Sequence, residues 1–239
     1  MNIGKKQKSN PWRNTRRDFN MPWNDIWAAI FMAILPMIIV ILASNFVLRS
    51  GAFYSNYMTK TEIIKEIPYQ VESDDITNTF ENFMLHKSSE FKLTEKSDYQ
   101  PQEVFTKRAG NIMSTIRTIL DVALVIGLVL LIGAVAIVCF LRSREENRLI
   151  LESFKTSWIW FAVVMAVNAI IFLIPSVRGI IFQEMFGVRF EPGDVLIQIF
   201  DAKLPVYFGV WQLMVSLVIM IAVTYIINKL FGRRKMFRA

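Results

Sequence analysis

Four apolar blocks, at about 27–48, 120–141, 157–174 and 205–227, decide what this chain can fold into. A helix rises 1.5 Å per residue, so about 20 apolar residues cross the ~30 Å hydrocarbon core of a bilayer. The hydrophobic share of 54% would by itself suit a soluble domain. Its distribution excludes one, because nearly all the charge falls between the blocks. The expected fold is therefore all-α: a polytopic membrane protein with four transmembrane helices. A small helical extracytoplasmic domain is expected between helices 1 and 2, and an interfacial segment between helices 3 and 4.

The polar segments complete the organisation. Residues 1–22 form a basic tail, with Trp23 and Trp27 as interfacial aromatics before the first span. That span is too long for a signal-peptide core and no small-x-small site follows, so it is expected to stay in the membrane. Pro36 lies in its middle and is expected to kink it. In the 49–118 segment, Ile76, Phe80, Phe83, Met84 and Phe91 recur at helical spacing, which predicts an amphipathic helix over 74–91. A second helix is expected to start near Gln102 and run unbroken into the 120–141 span. Residues 142–156 read as a charged loop. The 175–204 segment is too polar to span and too apolar for a free loop, so it is expected at the interface. Residues 228–239 form a basic C-terminus.

Charge sets the expected orientation. The pieces 1–22, 142–156 and 228–239 hold fifteen Lys and Arg, against twelve in the longer segments 49–118 and 175–204. The positive-inside rule then puts both termini in the cytoplasm. The net charge of +7 thus belongs to juxtamembrane tails facing anionic lipid, and no nucleic-acid partner is implied. One cysteine, Cys139, and one histidine, His86, exclude an intramolecular disulfide and any site built from several such ligands. No metal and no cofactor is expected.

The polar exceptions are the candidate site residues. His86 is the one side chain whose ordinary pKa suits acid–base work near neutrality; the same position also suits a surface histidine at a helix C-terminus. Asp121 lies near the outer end of the second span, where a water-facing position is cheap. Asn168 is mid-span, and either bonds a neighbouring helix or lines a cavity. Arg178, Gln183 and Glu184 follow the third span, as an interfacial ion pair or as the wall of a polar cavity. No GxSxG, HExxH, Walker or CxxC pattern occurs.

Phe182-Gln183-Glu184-Met185-Phe186, then Phe190-Glu191-Pro192-Gly193-Asp194-Val195-Leu196-Ile197, then Leu204-Pro205-Val206-Tyr207-Phe208 form a recognisable order. With the four-span plan, they resemble the lipoprotein intramolecular transacylases of Gram-positive bacteria. The resemblance implies a four-helix bundle with an extracytoplasmic cap in a bacterial plasma membrane. The implied activity is O-to-N acyl transfer, from the diacylglyceryl group to the amine of a lipoprotein's N-terminal cysteine. The candidate catalytic residues for such an activity are His86, Gln183 and Glu184, and Asn168, Arg178 and Asp121 are the candidates to line a lipid or substrate cavity. The implied partners are membrane lipids, lipoproteins or another membrane protein. Gln183 stands where that family has one histidine, and Glu103-Val104-Phe105-Thr106 lacks the other. The alternative is a non-catalytic relative that binds lipids, lipoproteins or a partner protein.

Overall fold

The computed structural model describes residues 23–95, 102–174, 195–200 and 203–231. It is all-α among these residues. Four helices are long and apolar enough to cross a membrane: α1 (Trp23–Arg49), α4 (Lys107–Ser143), α5 (Asn147–Leu173) and α7 (Lys203–Phe231). Short helices α2 (Gly51–Thr61), α3 (Ser73–Met84) and α6 (Val195–Ile199), with a 3-10 turn at Ile63–Glu66, gather at one end as a cap.

Helix α1 is the central pillar. It packs on α4, α5 and α7; α5 also packs on α7 and on α4, while α4 and α7 meet slightly, as where Arg142 lies over the Phe231 ring. Its most apolar window is 39% buried, against 17–22% in the other three. It continues through Pro36, and Asp25 and Arg49 suit its positive and negative ends. At Gly127 of α4 the approach to α1 is so close that a Cβ would lie 2.9 Å from Ile41 Cγ2. The outer face of α4 leaves Val125, Val129 and Ile132 exposed, a surface made for lipid rather than water.

The cap has its own aromatic core. Phe80 is fully buried, stacked on Tyr54 at 4.7 Å and edge-on to Phe91 and Phe105. Burial also pushes the Tyr54 phenol far above its ordinary pKa, so it stays neutral, and its hydroxyl donates to the Leu48 carbonyl. Helix α6 joins this core through Val195, Leu196 and Ile199, and the Tyr57 hydroxyl donates to the Ile199 carbonyl at 3.0 Å. The described end of the 175–204 segment therefore lies in the cap, while residues 175–194 lie outside the described residues.

Several boundaries differ from expectation for local reasons. Helix α3 ends at Met84 instead of reaching residue 91. His86 turns into the left-handed region at φ 59°, and the N–H groups of Lys87 and Ser88 fold back onto the Asn82 carbonyl. Phe91 still reaches the core, from irregular chain. Helix α4 starts at Lys107 because residues 102–104 pair with 93–95 in a short antiparallel bridge. Thr106 then caps it, accepting from the Ala109 N–H. The charged loop at 142–156 shrinks to a turn at 144–146, and its remainder extends α5 with an Arg148–Glu152 pair one turn apart.

Removing the Phe80 ring should destabilise the cap by about 3–5 kcal/mol. Gly127→Leu should force α1 and α4 apart and cost about 1–3 kcal/mol. Thermal unfolding in detergent micelles checks both, and native-like transitions would refute these packing assignments.

Candidate functional site

The cap meets the bundle at the C-terminal end of α3. That helix has no base in its last turn, and two other helices supply them. Arg49, the last residue of α1, donates from Nη1 to the Met84 carbonyl at 2.9 Å. Arg117 of α4 lies 4.0 Å over the Phe83 ring and donates to the carbonyls of Phe83 and Ser88. Cations at unsatisfied carbonyls are favoured by the helix dipole as well as by the bonds themselves.

Arg49 also donates from Nη2 to Asp121 Oδ1 at 2.6 Å, and His86 Nε2 lies 3.1 Å from the same carboxylate. Residues from α1, α4 and the α3 terminus thus converge on one acid. An ionised carboxylate only accepts, so this contact is a hydrogen bond when Nε2 of His86 carries a hydrogen. The Arg49 side chain is 14% exposed, while those of Asp121 and His86 are 37% and 52% exposed. Chemically, this is a carboxylate-oriented imidazole at the rim, behind which a half-sheltered ion pair holds the cap.

Beside the junction, a groove follows one face of α1. The residues Leu42, Asn45, Phe46 and Arg49 fall at helical spacing along it. Its apolar part, about 570 Å³, lies between α1 and α7 against Trp211, Val215 and Ile219. Its polar part, about 640 Å³, lies under the cap against Gly51, Glu81 and Leu85, with Leu124 of α4 on its far side. Leu42 and Phe46 line both, so the two parts adjoin along α1. A Cβ on Gly51 would run into the Glu81 carboxylate, so glycine leaves that side chain its place on the groove wall.

Deeper in the bundle, Asn168 of α5 donates to Gln212 Oε1 of α7 at 2.6 Å. Gln212 Nε2 in turn reaches Ser44 Oγ of α1 at 2.6 Å, and Ser44 donates to the Val40 carbonyl. Asn168 makes the helix–helix bond that was one of its two expected roles, and it also borders a 180 Å³ apolar cavity between α5 and α7. The structure brings His86 and Asp121 together but leaves Asn168 in a separate network. Arg178, Gln183 and Glu184 lie outside the described residues.

Sequence reasoning missed Arg49, Arg117 and Gln212. Arg49 shares a helical face with Leu42, Asn45 and Phe46, and Arg117 lies one turn before Asp121; both spacings were available signals. Among the described residues, no group of three or more His, Cys, Asp or Glu could hold a metal. No family model, no curated protein and no solved structure matches the chain.

Arg49→Met should release the end of α3, so that amide hydrogens over 84–88 exchange several-fold faster, whereas His86→Ala should change them little. A double-mutant cycle of Asn168→Ala and Gln212→Ala should give a coupling of about 0.6–1.7 kcal/mol. Additive effects would mean that the amides do not support one another.

Proposed function

We propose that this chain is an integral protein of a bacterial plasma membrane that binds lipids or lipid-modified proteins at its cap side, without transferring their acyl chains. Both termini face the cytoplasm, in keeping with the basic tails, and the cap faces outward. The observation that carries this reading is the groove on α1, whose apolar and polar parts adjoin. It gives an acyl chain an apolar path and gives the polar linkage above it a hydrogen-bonding rim at the same depth as the cap. The resemblance to the lipoprotein transacylases supports an acylated partner. Gln183 in place of that family's histidine supports binding over catalysis, because an amide is no base near neutral pH.

A second reading, O-to-N acyl transfer, is favoured by the His86–Asp121 pair. In that reaction the lipoprotein amine attacks the ester carbonyl, an N–C bond forms, and the C–O bond to the glyceryl oxygen breaks. His86 Nδ1 would take the amine's proton and return it to the departing oxygen.

Expression in a bacterium that lacks N-acylating enzymes, grown on an alkyne-tagged fatty acid, separates these readings. Binding predicts that tagged lipid or lipoprotein stays with the protein through purification in mild detergent. It also predicts that fragmentation of a lipoprotein's N-terminal peptide finds the α-amine free. A chain on the amine would establish transfer, and loss of that chain in His86→Ala would assign the base. A purified protein with no tagged species and no transfer would overturn both.

A further inference from the structure

The groove carries two unmatched polar atoms. Asn45 is 4% exposed, and its Oδ1 is buried with no hydrogen-bond partner among the described residues. Its Nδ2 donates to the Ile41 carbonyl, which fixes the amide's orientation and leaves the oxygen as the free acceptor. Arg49 Nε, one turn later on the same face, is likewise buried and unpartnered. A buried donor or acceptor without a partner is costly enough that native structures rarely keep one. Residues four apart on a helix have Cβ atoms only about 5–6 Å apart, so one small polar group can reach both.

The charges around these atoms narrow the choice. Arg49 has already given one N–H to Asp121, and the Glu81 carboxylate faces the same part of the groove. Among the described residues, Glu81 has an ion pair with Lys87 at 3.7 Å. The polar part therefore offers a donor in Arg49 Nε, acceptors in Asn45 Oδ1 and Glu81, and the Ser50 hydroxyl, which can do either. A matching headgroup has an oxygen for the arginine and N–H or O–H groups for the two acceptors. A quaternary ammonium headgroup has oxygens but nothing to donate. Below, Leu42 and Phe46 lead straight into the apolar part, where an acyl chain fits between α1 and α7.

We propose that this groove binds a glycerolipid whose headgroup donates hydrogen bonds, with an acyl chain along Leu42 and Phe46 and the headgroup against Asn45, Arg49 and Glu81. This inference rests on the lipid-binding reading above and names its ligand class and its residues. The phosphate or ester oxygen accepts from Arg49 Nε, and an amine or hydroxyl donates to Asn45 Oδ1 and Glu81. The matches to Arg49 Nε and Asn45 Oδ1 each satisfy an atom that is otherwise unpartnered.

The test uses the full chain in phosphatidylcholine nanodiscs doped with one diazirine-acyl probe, either phosphatidylethanolamine, phosphatidylglycerol or phosphatidylcholine. After photolysis, adducts at residues 42–46 and 211–219 are compared with those on the lipid-facing stretch 125–132 of α4. The expected groove-to-face ratio is about five- to tenfold higher for the ethanolamine and glycerol lipids than for the choline lipid, the scale of one or two hydrogen bonds. Asn45→Leu should abolish that preference. It should fold normally, because its only bond is within its own helix, and the thermal transition checks this. Glu81→Gln, at the cap rim, is the second variant and should weaken the ethanolamine probe more than the glycerol probe. Equal ratios for all three lipids, or a preference that persists in both variants, overturns the proposal. So does a diacylated lipopeptide that labels the groove where the donor lipids do not, since that assigns the site to a lipid-modified protein. Retention of tagged lipid from cells without groove adducts would sink the groove and spare the broader reading.

Discussion

A guanidinium at the end of a membrane helix must find partners for its N–H groups where water is scarce, and Arg49 organises the cap by finding them. One arm closes the α3 terminus at Met84, the other takes Asp121 of α4, and Nε is buried without a partner among the described residues. Three helices therefore share a single side chain. Asp121 passes the connection on to His86, and Arg117 repeats it from the other side of the α3 terminus. The cap's aromatic core explains why the cap is compact, and the arginines explain why it sits where it does on the bundle.

The amides serve a different purpose. Lipid offers hydrogen bonds to nothing, so Asn168, Gln212 and Ser44 satisfy one another across α5, α7 and α1. Apolar helix faces slide and rotate against each other at little cost, and a polar chain across three helices picks one register. The Trp158 Nε1 bond to Thr224 Oγ1 adds a second such link between α5 and α7. Asn45 and Ser216 depart from this pattern, since the Asn45 oxygen and the Ser216 hydroxyl are buried with no partner among the described residues.

The four long helices were legible because length and apolarity alone identify a segment that can cross a membrane. The cap was legible only in part. Helix α2 escaped notice because Phe53, Tyr54 and Tyr57 sit among Gly51, Ser55, Asn56 and Thr59, without a clean apolar stripe. The end of α3 escaped because it depends on the backbone of His86 and on carbonyls claimed by distant arginines. The charged loop before α5 read as irregular since charge says nothing of helicity, and its Arg148–Glu152 spacing in fact suits a helix. His86 and Asp121 could be named as candidates but not paired, because 35 residues separate them. The groove was invisible in sequence, as its walls come from α1, α4, α7 and the cap, far apart along the chain.

Helix α4 runs for 37 residues without a break, about 55 Å at 1.5 Å per residue. That is well beyond the ~30 Å hydrocarbon core. Its first turns form part of the cap, where Ala109 and Met113 are buried, and its last turn carries Arg142 at the opposite end of the bundle. The cap and the far membrane surface are thus two ends of one rod. A lever of that length turns a tilt of a few degrees at one end into a displacement of several ångströms at the other, so the position of the cap and the tilt of this helix are geometrically one quantity.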